Sequence, residues 1–152
     1  MGMRKKSHDP PKIVNRRARY DYELGDSMVV GLALSGAEAK SLRLGHGQLR
    51  GAYLTEKNGE LWLINAHINS SRGIQISEPD QTRSRKVLAK RKEIDALLSA
   101  KDQGRTIVPL ELLTNGRYIK LRIAVGKGKK RYDKRETIKR RQQEREVKRL
   151  IR

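Results

Sequence analysis

Side chains that could carry acid–base or metal chemistry are few in this chain and poorly spaced for it. The densest acidic cluster is Asp21, Glu23 and Asp26, a set that a metal-dependent nuclease could use. The cluster directly follows arginines, so local charge balance is the favoured interpretation. The three histidines lack the spacing that places two metal ligands on one helix face; they are His8, His46 and His67. We therefore expect no catalytic residue, no metal site and no cofactor.

The basic residues offer a different chemistry, because they are concentrated at the two ends of the chain. Thirteen of the 26 residues from 127 to 152 are Lys or Arg and four are acidic, which gives this segment a formal charge of +9. Residues 1–19 carry a further +6, and residues 20–126 carry only +4. A compact body with basic ends is typical of proteins that grip nucleic-acid phosphates. Solubilising tails are the alternative, although added acidic residues serve solubility better.

The start of the basic run, Gly126–Lys130, could be mistaken for a phosphate-binding P-loop. The G-x-x-x-x-G-K-[ST] frame is missing, and no Ser or Thr follows the lysines to hold Mg²⁺. The favoured interpretation is that the glycines let an RNA backbone approach closely while the lysines neutralise its phosphates. Tyr132 is the one aromatic residue inside the run. Stacking on a base is its favoured use, with packing against the body as the alternative.

The elements that position these residues are predicted to be mainly strands. Asn58-Gly59 and Asn115-Gly116 each separate two segments of alternating polarity, and Asn-Gly is typical of the type I′ turn of a β-hairpin. After the first turn, one strand face is predicted to hold Trp62, Ile64, Ala66 and Ile68. After the second turn, one face is predicted to hold Ile119, Leu121, Ile123 and Val125. Two hairpins of this kind indicate a β protein.

Short helices are predicted to flank the strands. Residues 36–44 favour a helix that glycines end, and residues 85–100 place apolar side chains along one helical stripe that Gly104 stops. The tail has helical potential from Asp133, where Asp-x-x-Glu has the form of a capping box. Repulsion among its basic residues should keep the free tail frayed, and pairing with RNA phosphates should let it fold. We therefore expect a tail that is helical when bound.

These patterns divide the chain into three segments. Residues 1–14 are expected to form a disordered basic N-terminal arm, residues 15–128 an RNA-binding β-domain, and residues 129–152 a basic C-terminal tail. No stretch approaches the ~20 apolar residues of a membrane span. The chain has no cysteine, which excludes disulfides and zinc ribbons. A cytoplasmic monomer is the simplest expectation.

Four stretches, in order and with matching separations, resemble the motifs of one family. They are NRRARYDY from Asn15, GLALSGAEAKSLR from Gly31, TRSRKVL from Thr82 and GKGKKRYDKR from Gly126. The pattern resembles small protein B, the SsrA-binding protein of bacterial trans-translation, and covers residues 12–152. The resemblance implies an oligonucleotide-binding-like antiparallel β-barrel with flanking short helices, in which residues 15–128 form the barrel.

The same resemblance implies a function and a set of partners. The barrel would bind the tRNA-like domain of transfer-messenger RNA (tmRNA, or SsrA RNA) and deliver it to stalled ribosomes. The tail would occupy the empty mRNA channel near the 16S rRNA decoding centre of the ribosome. Elongation factor Tu with alanyl-tmRNA stays open as a further partner. A basic ribosomal or translation-factor-like barrel is the alternative without catalysis, and an RNA-processing nuclease is the enzymatic one.

By motif position, the resemblance implies which residues do this work. Contact with tmRNA would fall to Asn15, Tyr22, Glu38, Lys40, Lys127, Gly128 and Lys129. The decoding-centre role would fall to Tyr132, Asp133, Lys134 and Arg135. Charge alone would bring Lys139, Arg140 and Arg141 to the walls of the channel. Glu38 has a second interpretation, as a structural acid near a helix start.

Overall fold

The computed structural model describes residues 12–129 and 131–150. The strands are β1 (Ile13–Val14), β2 (Tyr22–Leu32), β3 (Gly47–Gln48), β4 (Tyr53–Lys57), β5 (Glu60–Ile64), β6 (His67–Ile68), β7 (Arg85–Leu88), β8 (Thr106–Leu113) and β9 (Lys120–Gly128). The helices are α1 (Ala18–Asp21), α2 (Gly36–Arg43), α3 (Glu78–Gln81), α4 (Arg91–Asp102) and α5 (Arg131–Leu150). Within these ranges no helix has both the length and the apolar character that a membrane span needs.

Seven strands form one antiparallel sheet in the order β1-β8-β9-β2-β7-β5-β4, and β3 pairs with β6 in a separate ladder. The predicted mainly antiparallel β fold with short helices is therefore confirmed. The sheet curls until β4 lies within 8 Å of β8 at their Cα atoms, but no hydrogen-bonded ladder joins these two strands in the described ranges. The fold is thus an oligonucleotide-binding-like curled sheet, and closure into a barrel is not shown.

The first hairpin has the predicted turn but buries the other face of its second strand. Asn58 and Gly59 both have positive φ, at 55° and 76°, as a type I′ turn requires. On β5 the buried side chains are Leu61 and Leu63, whereas the sequence pattern favoured Trp62 and its face. The backbone of Asn65, at φ 60°, then breaks the alternation. Residues beyond it reach the core on the opposite parity, so Ala66 and Ile68 are buried while Trp62 and Ile64 are only half-buried. The prediction that these four residues share one strand face is therefore wrong.

The second Asn-Gly pair does not form a two-residue turn. The last ladder pair of this hairpin is Leu113 with Lys120, so a loop of residues 114–119 joins β8 to β9. The cause lies outside the hairpin: Arg43 of α2 donates hydrogen bonds to the carbonyl oxygens of this loop. The predicted alternation is confirmed for Ile119, at the end of the loop, and for Leu121 and Ile123 on β9, which are all buried in the core, whereas Val125 is half-buried.

The predicted helix over residues 85–100 is wrong in its first part. Residues 85–88 form β7, which lies between β2 and β5, and only α4 is helical. Val87 is buried and Leu88 is 51% exposed, which is the alternation of a strand. Four residues are too few for the sequence to distinguish the two periods, so pairing with neighbouring strands decides the conformation.

The core is aliphatic. Strands contribute Val30, Leu32, Leu61, Leu63, Val87, Leu121 and Ile123, and helices contribute Leu42, Ile94 and Leu97. β1 also belongs to the body, because Ile13 is 4% exposed and pairs with Leu112 of β8. The disordered arm that was predicted for residues 1–14 therefore does not include residues 13 and 14, which form β1. The rest of that predicted arm, residues 1–11, lies outside the described part of the chain.

Candidate nucleic-acid interface

Asn15 and Tyr22 line one surface cleft of about 630 Å³. The cleft lies between the start of β2 and the neighbouring residues of β4 and β8. The cleft is lined by apolar side chains and by three exposed cations, which are Arg17, Arg50 and Lys101. This combination offers an apolar surface to bases or riboses next to positive charges for phosphates.

Asn15 is fixed in this cleft by two hydrogen bonds to β8. Its backbone N–H donates to the carbonyl oxygen of Leu110 at 2.7 Å, and its Nδ2 donates to that of Pro109 at 2.9 Å. The Asn15 carbonyl oxygen in turn accepts from the N–H of Ala18, at the start of α1. Asn15 therefore joins α1 to β8, so it positions the cleft as well as lining it.

Tyr22 begins β2 and pairs in the ladder with Gly128, the last residue of β9. Two glycines of β9, Gly126 and Gly128, differ in the space around them at this end of the sheet. A Cβ on Gly126 would lie 3.1 Å from the Cβ of Tyr22, whereas a Cβ on Gly128 would meet no atom within 4 Å. Tyr22 therefore packs over Gly126, and the space above Gly128 is open to a ligand.

Lys127 and Lys129 flank Gly128 but have different surroundings. The side chain of Lys127 is exposed at the strand end, where its ladder partner is Glu23. Lys129 is tied to α1: its N–H donates to the Asp21 carbonyl oxygen at 2.9 Å, and its Nζ donates to that of Arg19 at 2.8 Å. The structure thus brings Asn15, Tyr22 and the basic strand end together around α1.

Asp21 is the acidic residue of the predicted cluster that lines this cleft, and it is paired with a cation. Its carboxylate lies 3.8 Å from Nε of Arg17, the residue just before α1. Glu23 and Asp26 are on β2, in a different element. No group of three or more His, Asp or Glu side chains is close enough to hold a metal ion in the ranges that the structure describes.

Glu38 has a structural role that differs from the predicted RNA contact. It is 1% exposed, and it completes a capping box at the start of α2: the Ser35 N–H donates to Glu38 Oε1 at 2.9 Å, and the Glu38 N–H donates to Ser35 Oγ at 3.2 Å. Burial disfavours its charge, but hydrogen bonds from Arg83, Ser35 and Arg85 outweigh that penalty and lower the pKa of Glu38 to about 2. An RNA phosphate cannot reach this carboxylate, and its negative charge would repel one.

Arg85 is the buried partner of Glu38, and the sequence pattern assigned it no role. Its Nε donates to Glu38 Oε2 at 2.5 Å, and its Nη atoms donate to the carbonyl oxygens of Ala66, Asp80 and Gln81 at 2.7 to 3.1 Å. Arg85 is 0% exposed, and burial lowers its pKa. The available signal was the T-R-x-R motif itself, since both of its arginines pair with Glu38.

Lys40 and Arg43, both on α2, lie away from the cleft of Asn15. Lys40 is exposed and is not among the residues that line that cleft. Arg43 is committed to the carbonyl oxygens of Thr114, Gly116 and Arg117. The structure therefore gives Lys40 a separate surface from the basic strand end.

The tail forms one helix of 20 residues, α5, that begins next to α1. It starts at Arg131, two residues before the predicted capping box. Its described side chains are all exposed and none belongs to the core; they are Arg135 and residues 138–149, which include Lys139, Arg140 and Arg141. The side chains of Tyr132, Asp133 and Lys134 lie outside the described part of the structure. The coupling of this helix to RNA stays a prediction.

Comparison with known proteins supports one assignment. The family model described as "SmpB protein" matches residues 12–152. An SsrA-binding protein of Streptococcus thermophilus is 44% identical over 138 residues, covering 90% of this chain and 90% of the relative. SsrA-binding proteins of Coxiella burnetii, 44% identical with 91% and 88% coverage, and of Limosilactobacillus reuteri, 40% identical with 98% of each chain covered, are similar to it as well.

A solved structure extends the similarity to the fold. It is described as "tmRNA-SmpB: a journey to the center of the bacterial ribosome", and its matching chain is 36% identical to this one with a TM-score of 0.66. The match covers 84% of this chain and 94% of that chain. By sequence and by fold, this chain belongs to the SmpB protein family.

Proposed function

We propose that this chain binds the tRNA-like domain of tmRNA and delivers it to stalled ribosomes for trans-translation in the cytoplasm. The relatives are named for SsrA binding, and the related solved chain is described with tmRNA and the bacterial ribosome. The family itself is one of RNA-binding proteins, and the proposed role requires no catalysis by this chain.

The observation that carries the proposal is the junction at the end of β9. There the open space over Gly128 and the exposed Lys127 lie beside Tyr22 and the cleft of Asn15. An RNA backbone laid across this strand end would meet positive charge without a steric barrier. Residues 13–128, which include β1, form the body that binds tmRNA in this proposal. Lys129 contributes at the junction, and Lys40 is a further contact on α2.

The tail, residues 129–152, performs the second part of the proposed function. Its helix is exposed along its described length and strongly cationic, and α1 lies next to its start. A helix of this kind suits a channel walled by rRNA, where phosphates neutralise its charges. Tyr132–Arg135 would meet the decoding centre in this proposal, and Lys139–Arg141 would meet the channel wall.

A mobility-shift comparison at physiological salt tests the first part. The full-length chain is titrated into the isolated tRNA-like fragment of tmRNA and, separately, into an unrelated stem-loop of equal length. We expect clearly tighter binding to the tRNA-like fragment, because charge attraction alone does not distinguish two RNAs of the same length. Equal affinity for both RNAs contradicts the proposal.

A further inference from the structure

The loop of residues 114–119, which we call the clamped loop, is held by the side chain of Arg43 from helix α2. Arg43 donates from Nη1 to the carbonyl oxygens of Thr114 and Gly116, at 2.9 and 3.0 Å, and from Nη2 to that of Arg117 at 2.8 Å. Charge-assisted hydrogen bonds of this kind are roughly twice as strong as neutral ones. They fix the backbone of a segment that lies beyond the last ladder pair of its hairpin.

The clamped loop presents an aromatic ring to solvent. Tyr118 is 69% exposed, so the loop is not organised to bury it. The Arg117 guanidinium lies 5.6 Å from the ring centroid, within the range of a cation–π contact. A ring held next to a cation on a fixed backbone is ready for stacking, because little conformational freedom is lost when a ligand arrives.

The surroundings of Tyr118 are positive. A cleft of about 680 Å³ beside the ring is lined by the exposed cations Lys12, Arg117 and Lys120. The cleft also includes Glu111, whose carboxylate lies 2.6 Å from Nη1 of Arg122 and is thereby balanced. An exposed aromatic ring that has cations around it complements a nucleotide, because a nucleotide contains both a flat base and a negatively charged phosphate.

We propose that Tyr118 stacks on an unpaired RNA base, and that Lys12, Arg117 and Lys120 meet the phosphates of the same strand. The site is separate from the basic strand end, because Lys120 and Gly128 are the two ends of β9. Eight residue steps along a strand span about 26 Å. The proposal therefore adds a second RNA contact to the chain, whichever RNA the cleft of Asn15 takes.

Fluorescence of a single-stranded RNA decamer tests the site. The decamer carries one 2-aminopurine between pyrimidines and has no tRNA-like fold, so the result does not depend on the proposed tmRNA binding. We expect the full-length chain and Tyr118→Phe to quench 2-aminopurine on binding. Tyr118→Ala should lose most of the quenching and bind between about five- and 150-fold more weakly, the range for loss of one stacked base.

The matched pair Tyr118→Phe and Tyr118→Ala separates stacking from general charge attraction, because both variants keep every cation. Tyr118 lies on the surface, so both should unfold with heat like the parent chain, which circular dichroism checks. Equal quenching and affinity for the two variants would overturn the proposal, as would quenching by the parent chain that survives in Tyr118→Ala.

Discussion

Arg85 and Glu38 meet in the interior of the protein, with Nε and Oε2 2.5 Å apart and neither residue more than 1% exposed. The contact joins the first turn of α2 to β7. Through its other donors Arg85 also holds the carbonyl oxygens of Ala66, Asp80 and Gln81. One buried cation therefore ties three segments of chain to a single carboxylate.

This pair predicts acid sensitivity. The pKa of Glu38 falls from 4.5 to about 2 on folding, so the folded state favours the charged form. The resulting stability is fully present above pH 4.5 and is lost as the pH falls towards 2. Its size is on the order of 3 kcal/mol. Urea unfolding at pH 7 and at pH 3 should show about 2 kcal/mol of this loss, because pH 3 lies between the two pKa values.

Glu38→Gln should lower the free energy of unfolding at pH 7 by about 3 kcal/mol, because it leaves the charge of Arg85 buried without its partner. The same variant should also make the free energy of unfolding less dependent on pH between pH 4.5 and pH 2. Glu60→Gln is the control, since Glu60 makes a half-exposed pair with Lys86 at 3.0 Å and should change stability by less than about 1 kcal/mol. Similar losses in both variants would contradict the structural role of Glu38.

Gly128→Ala should affect RNA binding, whereas Gly126→Ala should affect the stability of the fold. A Cβ at Gly128 meets no protein atom within 4 Å, so this variant should fold normally and bind the tRNA-like fragment more weakly. A Cβ at Gly126 lies 3.1 Å from Tyr22 Cβ, so that variant should lose stability. Thermal unfolding and mobility shift measure the two effects. Unchanged RNA affinity in Gly128→Ala would remove this position from the interface.

Lys127→Ala should weaken RNA binding without loss of stability, because the side chain is exposed at the strand end. The slope of log affinity against log salt should become shallower by about 0.7–0.9 for each phosphate contact removed. Lys129→Ala should weaken RNA binding and also loosen the contact between the end of β9 and α1, because it removes the hydrogen bond from Nζ to the Arg19 carbonyl oxygen. Lys92→Ala, an exposed lysine of α4, is the control. A salt slope identical to that of the control would exclude Lys127 from phosphate contact.

Truncation of the chain before Tyr132 should separate the two proposed parts. The core contains no described residue of α5, so the body should keep its fold and its affinity for the tRNA-like fragment. Peptide tagging on stalled ribosomes in a reconstituted translation reaction should be abolished. Equal loss of binding and tagging would contradict the division between body and tail.

A peptide of residues 129–152 should be mostly unfolded in low-salt buffer and become helical on adding RNA. Like charges stand four residues apart at Arg135 and Lys139 and again at Arg141 and Arg145, which opposes the helix until phosphates neutralise them. Circular dichroism at 222 nm reports the change. A helix that is stable without RNA would rule out coupled folding and binding.

Local signals in the sequence were enough where the structure is decided locally. Asn58-Gly59 forms the predicted turn because both positive-φ positions are supplied by adjacent residues. Asn115-Gly116 carries the same local signal, but Arg43, which lies 73 residues before Gly116 in the chain, holds the loop open. Residues 85–88 likewise take their conformation from β2 and β5, which a four-residue pattern cannot reveal.

The candidate site follows the same division. Exposed charges such as Lys127 were predictable, because their motif and their position at a strand end both appear in the sequence. The role of Glu38 was predictable only in part: its place near a helix start indicated a structural acid, but a motif position does not distinguish a carboxylate that faces RNA from one that faces Arg85. Only the folded arrangement brings residues 47 positions apart into a buried ion pair.

The anchoring of Lys129 to α1 has a mechanical consequence. α5 begins two residues after this anchor, and its 20 residues form an arm of about 30 Å when the segment is helical. A tilt of roughly 10° at its base swings the far end by about 5 Å, which is close to one helical turn. Any RNA that shifts α1 while occupying the neighbouring cleft therefore steers the tip of the arm, and a small displacement at the body becomes a large one at the distal end.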